Sequence, residues 1–344
     1  MKRPSFVAFF VLLLAACSAG RDGAIPTNDP LSQGVARQDR VSPAAAGDVY
    51  VANWYGNNVT VYAAGGKSKL RTISAGVSYP NSLTFDKAGA LYVGNYGNAS
   101  GSFNSSVSVY GQGHSQPART ITDGIRGPFA LAIAPTGKLY VANNGGDTIT
   151  VYARGSTKVL QTIRKGVRAP EALAFDAGGN LYVANWRNST VTVYPPAKGS
   201  PVRTLSKGLA TPDALAFDAD GNLYVANHRT NSVTVYPKGK TTPSGLIKKN
   251  VRQPVSVTSS GSSLYVLNYL NNTVSVYDEA TLHPIGVISE GVACPSTMAM
   301  SSSGLLYVAN TCPSTVSVYD STGSKLLRSI GNGLNGPVAI GVAP

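Results

Sequence analysis

Two acidic residues are the clearest candidates for chemistry in this sequence. Glu171 and Asp213 each follow a proline in the same motif, Pro-x-Ala-Leu-Ala-Phe-Asp, and Asn81 follows the proline of a related copy. Carboxylate and amide oxygens are the ligands that Ca²⁺ and Mg²⁺ prefer in proteins. The three residues therefore predict a divalent-cation site if the fold brings their motifs together. The alternative is a pair of carboxylates that are solvated or paired with arginine.

Other catalytic groups are scarce in the chain. The three histidines, at positions 114, 228 and 283, are far apart in sequence, which argues against a multi-histidine metal centre. No nucleophile can be paired with a base from any motif. His228 alone is placed to act as a general acid or base near the centre of the fold predicted below. The sequence therefore favours binding over catalysis, and no cofactor is expected apart from Ca²⁺ or Mg²⁺.

The three cysteines divide into one near the N-terminus and two near the C-terminus. So small a number excludes a disulfide scaffold and a cysteine-based zinc cluster. Cys294 precedes a predicted strand that begins at Pro295, and Cys312 follows a strand that ends at Asn310. A hairpin that folds about Ser303 would place the two cysteines opposite one another. We predict a disulfide worth about 3 kcal/mol in an oxidising compartment; the alternative is two free thiols.

The N-terminus has the pattern of an export signal. Lys2 and Arg3 precede an apolar run over residues 6–14, which is too short to span a bilayer as a mature helix. The segment Leu-Ala-Ala-Cys that ends at Cys17 resembles the bacterial lipobox. This resemblance implies cleavage before Cys17 and a lipid on that residue. An ordinary secretory signal with an incidental cysteine is the alternative.

We divide the chain into three parts on this basis. Residues 1–16 are predicted to be a lipoprotein signal peptide. Residues 17–46 are rich in Ala, Gly, Pro, Ser and Asp and are predicted to form a flexible tether that begins with the lipidated cysteine. Residues 47–344 form the folded domain. The expected location is the bacterial cell envelope, outside the cytoplasm, at the outer membrane if the organism is Gram-negative.

One unit of about 42 residues recurs along the folded domain. Its most regular segment, Leu-Tyr-Val-Ala-Asn or a close variant, places tyrosine at positions 50, 92, 140, 182, 224, 265 and 307. Each unit carries four short segments that alternate in polarity or are rich in β-branched residues, and these predict four strands, A to D. Four strands at this period are typical of a propeller blade, which needs neighbours to bury both faces of its sheet.

The count of strands predicts how the ring closes. The repeats contain seven A strands, each of which begins at a proline, and seven B strands. The domain opens with a B strand over residues 48–53 and ends with an A strand over residues 337–344. The numbers balance only if the last A strand completes the first blade, which also removes the open sheet edges between the terminal blades. We predict an all-β, seven-bladed propeller with four antiparallel strands per blade.

The repeats resemble two known families. Tyr-Val-Ala-Asn followed by Asn-Ser/Thr-Val-Thr-Val-Tyr is similar to the YVTN repeat, and Pro-x-Ala-Leu-Ala-Phe-Asp with Gly-Asn-Leu-Tyr-Val-Ala-Asn resembles the NHL repeat. The resemblance covers residues 48–344. It implies a β-propeller and says little about activity, because propellers of this kind include lactonases, lyases and binding scaffolds.

The resemblance also bears on the acidic residues. Asn81, Glu171 and Asp213 occupy positions similar to the channel-mouth metal site of gluconolactonase-like propellers. The sequence departs from that pattern at three equivalent positions, which hold Phe129, Val255 and Val338. A metal-dependent lactonase-like hydrolase or lyase is therefore the alternative function, and a binding or scaffold propeller is the first.

Eight aromatic residues are not explained by the repeat. They are Trp54, Tyr55, Tyr79, Tyr96, Phe103, Phe129, Trp186 and Tyr269. Each lies in a B–C loop, in a D–A loop or at the start of strand A, and antiparallel pairing puts these segments at one end of the blades. We predict an aromatic face, shared by His228, that stacks on sugar rings or anchors a protein partner. The alternative is that the rings wedge between blades.

The asparagine that ends strand B is interpreted differently from these aromatic residues. It recurs in every unit, at positions 53, 95, 143, 185, 227, 268 and 310. Asparagine amides bond readily to nearby backbone groups where a chain turns. We therefore interpret the seven asparagines as structural rather than as ligands.

The net charge of +13 favours an anionic partner without locating it. Arg168, Arg187 and Arg229 lie in the loops of the aromatic face, where arginine could grip a carboxylate or phosphate. Lysines in the C–D loops of the opposite face make general basicity an equally good account. The expected partners are an envelope glycan, an anionic ligand or a protein, together with the membrane through Cys17. Nucleic acid is not expected, because no recognition motif is present, and the protein is expected to be a monomer.

Overall fold

The computed structural model describes residues 45–97, 104–323 and 325–344, which form a seven-bladed, all-β propeller. These residues belong to one compact unit, Ser42–Pro344. Each blade is a sheet of four antiparallel strands, as the repeats predict. No helix within the described ranges is long and apolar enough to cross a membrane. The predicted signal peptide, Cys17, most of the tether and Phe103 lie outside the described residues.

The strands follow one another as four per blade. Blade 1 contains β28 (Pro337–Val342), β1 (Val49–Asn53), β2 (Asn58–Tyr62) and β3 (Lys69–Ile73); blade 2 contains β4 (Pro80–Phe85), β5 (Leu91–Asn95), β6 (Ser106–Tyr110) and β7 (Arg119–Ile121); blade 3 contains β8 (Pro128–Ile133), β9 (Leu139–Asn143), β10 (Thr148–Tyr152) and β11 (Val159–Ile163); blade 4 contains β12 (Pro170–Phe175), β13 (Leu181–Asn185), β14 (Thr190–Tyr194) and β15 (Arg203–Leu205). Blade 5 contains β16 (Pro212–Phe217), β17 (Leu223–Asn227), β18 (Ser232–Tyr236) and β19 (Gly245–Ile247); blade 6 contains β20 (Pro254–Ser260), β21 (Ser263–Asn268), β22 (Thr273–Asp278) and β23 (Pro284–Ile288); blade 7 contains β24 (Pro295–Met300), β25 (Leu306–Asn310), β26 (Thr315–Tyr319) and β27 (Leu326–Ile330).

The ring closes as predicted. Strand β28 pairs antiparallel with β1, with Val342 opposite Val49 and Ile340 opposite Val51. The last strand of the chain therefore supplies strand A of the first blade. Strand A of each blade lies next to strand A of its neighbour, β4 beside β8 and β24 beside β28, so the A strands surround the central channel.

Strand B forms the buried centre of every blade, because neighbouring blades cover both faces of its sheet. Its tyrosine packs against the phenylalanine of strand A in the next blade. Tyr50 meets Phe85 edge-to-face with ring centroids 5.0 Å apart, and Tyr182 meets Phe217 in the same way at 5.0 Å. The repeated tyrosines and phenylalanines are therefore contacts between blades, a geometry that aromatic pairs favour.

Each repeated asparagine holds the D–A loop that enters its own blade. In blade 5, Asn227 Oδ1 accepts from the backbone N–H of Ala210 at 3.1 Å, and Asn227 Nδ2 donates to the hydroxyl of Thr234 at 2.9 Å. The same backbone N–H bond is made by all seven asparagines. The structural interpretation of these residues is confirmed.

The tyrosine that ends strand C secures the same loop. In blade 4, the Tyr194 hydroxyl donates to the carbonyl of Lys165 at 2.6 Å, and all seven blades repeat this bond. Asparagine and tyrosine together satisfy the backbone groups of a loop that crosses from one blade to the next. A buried backbone group without such a partner would be costly.

A third set of bonds joins each blade to the next. The side-chain oxygen of a short polar residue in the B–C loop accepts the backbone N–H of the residue before the next blade's proline. Asp147 Oδ1, for example, accepts from Ala169 at 2.6 Å, and Ser314 Oγ accepts from Gly336 at 3.1 Å across the closing junction. We call these seven bonds the interblade clasps; the acceptors are Asn57, Ser105, Asp147, Ser189, Asn231, Asn272 and Ser314.

The propeller has two ends that differ in chemistry. The mouth face comprises the B–C and D–A loops, where the repeated asparagines and prolines lie. The tether face comprises the A–B turns and the C–D loops at the opposite end. Strand β1 runs from Val49 at the tether face to Asn53 at the mouth face, and Gly47 N donates to Ala343 O at 2.9 Å beside Val49. The chain therefore enters the propeller at the tether face.

Candidate binding site at the channel mouth

A β-bulge in every blade places one side chain at the channel mouth. The proline that starts strand A lies opposite the asparagine that ends strand B, and the pairing then skips one residue. In blade 4, Pro170 pairs with Asn185 and Ala172 with Ala184, which leaves Glu171 unpaired. Bulges re-aim a side chain and are common next to functional sites. The residues placed in this way are Val338, Asn81, Phe129, Glu171, Asp213, Val255 and Ser296.

Glu171 is buried in this ring and only half of its carboxylate is bonded. Its side chain is 5% exposed, and Asn144 Nδ2 donates to Glu171 Oε1 at 2.9 Å. Asn144 belongs to blade 3, so this bond crosses the blade boundary. Glu171 Oε2 is buried and has no hydrogen-bond partner among the described residues. A buried carboxylate oxygen without a partner is costly, which marks this atom as a contact point for a ligand.

Asp213 lies in the adjacent blade with His228. Asp213 Oδ2 is 3.5 Å from His228 Nδ1, and their side chains are 7% and 14% exposed. The acidic residues are near enough to interact, since burial and then the charge of Asp213 raise the pKa of Glu171 well above its usual range. Burial also raises the pKa of Asp213, whereas His228 lowers it. We call Glu171 and Asp213 the carboxyl pair.

Tyr96 approaches the same site from blade 2. Burial raises the pKa of its hydroxyl, and the negative charge of Glu171 raises it further. The centre of the mouth is therefore built from four consecutive blades, which contribute Tyr96, Asn144, Glu171 and the Asp213–His228 pair. Two carboxyl groups in a low-dielectric site cannot both ionise easily, so ionisation of one disfavours ionisation of the other.

The carboxyl pair makes the stability of the propeller depend on pH. Because folding raises the pKa of both carboxyls, the folded chain binds protons more tightly than the unfolded chain. Their contribution is fully present below the ordinary carboxyl pKa and is lost as pH rises through the raised values. We expect calorimetry to show that the Tm of the native protein falls on going from acidic to neutral pH relative to that of Glu171→Gln. Parallel Tm curves for the two proteins would contradict this expectation.

The predicted third cation ligand, Asn81, contacts a neighbouring blade through its amide nitrogen. Asn81 Nδ2 points to the carbonyl of Phe129 at 3.5 Å, within the same ring of bulged residues. Across residues 45–97, 104–323 and 325–344, no group of three or more His, Cys, Asp or Glu side chains could hold a metal ion. The carboxyl pair has the charge that a divalent cation requires, and amide, carbonyl or water oxygens would have to supply the remaining ligands. Asn81 as a metal ligand therefore stays a prediction.

The aromatic residues lie around the mouth with unequal exposure. Trp54 is only 6% exposed, because Tyr79 and Tyr96 pack against it at centroid distances of 5.4 and 5.7 Å. The expectation of an open ring at Trp54 is corrected: it wedges between blades 1 and 2. Its neighbour Tyr55 is 41% exposed.

The other predicted aromatic residues retain some accessible surface. Phe129, Trp186 and Tyr269 are half-buried at the mouth face. The indole Nε1 of Trp186 is buried and has no acceptor within the described part of the chain. Trp186 belongs to blade 4, like Glu171, so an unbonded donor and an unbonded acceptor lie in the same blade. Such a pair suits a ligand that carries hydroxyl groups.

Arginine side chains surround the acidic side of the mouth. Arg168 and Arg187 both approach Asp147 Oδ2, at 3.4 and 3.5 Å, and remain about 60% exposed. Arg229 is also exposed. Asp147 was not predicted from the sequence as a residue of this site. Its Oδ1 accepts the interblade clasp from Ala169, and its Oδ2 faces the two arginines. Exposed pairs of this kind contribute little stability, so the arginines retain the capacity to bind an anion.

The predicted disulfide is confirmed. Cys294 and Cys312 are bonded, with their Cα atoms 5.6 Å apart. The bond joins the D–A and B–C loops of blade 7 at the mouth face. Cys294 also donates its backbone N–H to Asn272 Oδ1 in blade 6. The disulfide therefore secures the loop that the clasp from blade 6 also holds.

Comparison with known proteins supports the architecture. A family model described as the SMP-30/Gluconolactonase/LRE-like region matches residues 20–208, more than half of the chain, and includes Glu171 but neither Asp213 nor His228. No curated protein matches. Among solved structures, a Bacteroides fragilis protein described as a "putative 6-phosphogluconolactonase" is 15% identical, with a TM-score of 0.70 over 86% of this chain and 98% of that one.

Two further structures agree in fold. A protein from Lactobacillus plantarum is 18% identical, with a TM-score of 0.71 over 86% of this chain and 99% of that chain. The computationally designed Ika8 protein is 15% identical, with a TM-score of 0.64 over 87% and 91% of the two chains. At these identities the likeness concerns the fold alone, because unrelated functions share propeller scaffolds.

Proposed function

This chain belongs to the SMP-30/gluconolactonase/LRE-like family, and from that premise we propose that it binds a carbohydrate-derived ligand at the mouth of its channel. The proposal includes the cell envelope as its place of action, with a lipid on Cys17 holding the propeller to a membrane. A disulfide in the folded domain is consistent with an oxidising compartment outside the cytoplasm.

One observation carries the binding proposal. Glu171 Oε2 is a buried acceptor without a partner, and it lies in a ring of bulged residues that faces the channel mouth. Asn144 fixes the other oxygen of the carboxylate, so the group is held in one orientation. A preorganised carboxyl oxygen of this kind suits a ligand hydroxyl, which can accept its proton or donate to it and so supplies the missing hydrogen bond.

The surroundings of the carboxyl pair indicate the class of ligand. Trp186 and Tyr269 offer partly exposed ring faces, which stack well on the apolar faces of sugar rings. Arg168 and Arg187 are exposed at Asp147 and Arg229 is exposed in a neighbouring B–C loop, so the mouth face favours a ligand with a carboxylate or phosphate group. A sugar acid or a short acidic glycan has both features. A protein partner would engage the same loops without needing the unbonded oxygen of Glu171.

Hydrolysis of a lactone at this site is the second candidate function. It is favoured by the carboxyl pair, because two buried carboxyls that share a proton provide both a base and an acid. Asp213, whose negative charge His228 favours, would accept a proton from an attacking water molecule. The oxygen of that water would form a bond to the lactone carbonyl carbon.

Ring opening completes the reaction. Glu171 keeps its proton more readily because it is buried and adjacent to Asp213, and it would donate that proton to the ring oxygen as the bond from carbonyl carbon to ring oxygen breaks. The product is a hydroxy acid, and the proton taken from water returns the pair to its starting state. A divalent cation held by Glu171 and Asp213 would polarise the carbonyl, whereas the proton transfers need only the two side chains.

The two tryptophans of the sequence provide the test of binding. Both lie at the mouth face, so intrinsic fluorescence reports on the proposed site. We expect titration with aldonic acids, aldonolactones and acidic oligosaccharides to change the emission with saturation, and Trp186→Ala to weaken binding about tenfold. Leu270→Ala, at a 59% exposed position in the B–C loop of blade 6, is the control and should bind normally. Unchanged binding by both variants would overturn the proposal that Trp186 contacts the ligand.

A further inference from the structure

The tether face has an unbalanced charge. Its exposed cations come from six of the seven blades and are lysines with one exception; they are Lys67, Lys69, Lys87, Arg154, Lys158, Lys198, Lys238, Lys240 and Lys325. Among the described residues, Asp220 is the exposed acidic residue of this face, and five more are half-buried there, so the exposed cations outnumber the carboxylates by nine to six; the half-buried ones are Asp176, Asp218, Asp278, Glu279 and Asp320. The excess of positive charge is therefore distributed over six blades rather than concentrated at one point.

The mouth face is also basic, but its cations differ in type and position. Six of its ten exposed cations are arginines, and two of these approach Asp147. Arginine presents a planar fork that suits recognition of one anionic group, whereas lysine is a mobile point charge. A field of lysines suits a surface that carries many separate anionic groups. The two ends of the propeller are thus suited to different kinds of anion.

The path of the chain connects the lysines with the N-terminal segment. Ala45 and Gly47 lie at the tether face, where Ala343 N donates to Asp48 O at 2.8 Å and fixes the start of the domain. A Cβ added at Gly47 would lie 3.3 Å from Cβ of Ala64, in the C–D loop that also carries Lys67. The residues that precede Ala45, including Cys17, are therefore joined covalently to the face that carries the lysines.

We infer that the tether face docks on a membrane surface of anionic phospholipids, so that the mouth face points away from the bilayer. The inference rests on the lipid at Cys17 that forms part of the proposed function, because that lipid would bring the tether face near a membrane. If the residues from Cys17 to position 46 form the tether that the sequence predicts, they reach roughly 30 Å, which exceeds the Debye length of about 8 Å at physiological salt. The lipid alone therefore leaves the domain free to tilt, and the lysines would fix its orientation.

The test uses the full chain with Cys17→Ser, in which residues 1–16 are exchanged for a signal that leaves no lipid. Vesicles contain phosphatidylethanolamine alone or mixed with phosphatidylglycerol. We expect co-sedimentation with the mixed vesicles at low salt, and little with the neutral ones. Lys67→Glu, Lys238→Glu and Lys240→Glu together should weaken this binding at least about tenfold.

A matched triple variant reports whether the effect belongs to one face. The mouth face carries three exposed lysines in equivalent loops, Lys165, Lys207 and Lys249. The backbone carbonyl of each accepts a hydrogen bond from a tyrosine hydroxyl, so a substitution of the side chain leaves that bond in place. Their replacement by Glu should leave vesicle binding unchanged. Equal losses in the two triple variants, or no binding by the parent protein, would overturn the inference.

Two further measurements separate this inference from the proposed function. Ligand titration by tryptophan fluorescence should be unaffected by the tether-face variant, since its substitutions lie at the opposite end from Trp186. Cell fractionation with the native signal, with and without Cys17→Ser, tests the lipid itself. If neither the parent protein nor its variants bound the ligand, the proposed site would be refuted and the vesicle-binding result would still stand. A Cys17→Ser protein that stays in the membrane fraction after a high-salt wash, which releases electrostatically bound protein, would refute the lipid.

Discussion

Glu171→Gln is expected to lower kcat/KM for aldonolactone hydrolysis by roughly 10²–10⁴-fold, the usual contribution of a general acid or base. The amide has the size of the carboxyl and retains an oxygen that can accept from Asn144. It cannot exchange a proton with the substrate or share one with Asp213. The loss should appear mainly in kcat, because the proton is transferred as the ring opens.

The control for this prediction is another carboxyl with a raised pKa. Glu279 lies beside the tether face, where burial raises its pKa and one of its oxygens lacks a hydrogen-bond partner in the described structure. Glu279→Gln should leave hydrolysis unchanged, which separates position at the mouth from burial in general. Hydrolysis that survives Glu171→Gln would eliminate the catalytic hypothesis. Ligand binding lost in the same variant would then support a site that binds without reacting.

The pH profile provides a second readout of the same variant. A shared proton requires one protonated and one ionised carboxyl, so kcat/KM should fall on both sides of an optimum. At low pH the base is lost, and at high pH the acid is lost. Glu171→Gln removes one of these ionisations, so the residual activity of the variant should lack the decline at high pH. An unchanged two-sided profile would assign the acid to another group.

Most of the fold is predictable from the sequence repeat alone. Strand positions, the number of blades and the closure by β28 all depend on local patterns that recur at a fixed period, and such patterns are visible in one sequence. The disulfide was predictable for a similar reason, since Cys294 and Cys312 flank the two strands of one hairpin. Local order in the sequence therefore translates directly into order along the ring.

Contacts between blades could not be predicted in the same way. Asn144 appeared in the sequence as one member of a loop position, and its bond to Glu171 depends on how two blades meet. The interblade clasps were not predicted, because the accepting position holds Asn, Asp or Ser in different blades. A signal was present, since a short polar residue follows the repeated asparagine by four positions in six blades. In all six the backbone of that residue is left-handed, which Asn and Asp tolerate well.

The burial of Trp54 shows that a position in a loop does not by itself make a side chain accessible to solvent. Five of the seven residues after the repeated asparagine are aromatic or histidine, and the pattern predicts equal roles for them. The structure distinguishes them by what each neighbouring blade supplies. Blade 2 supplies Tyr79 and Tyr96, which cover Trp54, whereas Trp186 keeps an unbonded indole N–H. The position of a residue in the B–C loop fixes where its side chain leaves the backbone, and contacts with the next blade determine whether that side chain is buried.

Ending the chain at residue 336 is expected to abolish cooperative folding of the propeller. The truncation removes β28, so β1 loses the strand that pairs with it from Val49 to Asn53. It also removes the Pro337 carbonyl, which accepts from the Ser296 hydroxyl at 3.0 Å and the Thr311 hydroxyl at 2.9 Å in blade 7. Blade 1 would expose its inner edge, and blade 7 would lose the strand that its own strand A packs against.

The energetic reason lies in the apolar side chains that β28 contributes. Val338 packs on the core between blades 1 and 2, and Ile340 and Val342 pack on the core between blades 1 and 7. Burial of such side chains stabilises by about 1.5–3 kcal/mol each when complete. Their combined loss is on the order of 5 kcal/mol, which approaches the whole stability of many domains. Removal of Pro344 alone, an exposed residue beyond β28, should have no such effect. Thermal unfolding followed by circular dichroism would decide the matter: a truncated chain that unfolds at the Tm of the full chain would show that β28 does not hold the ring closed.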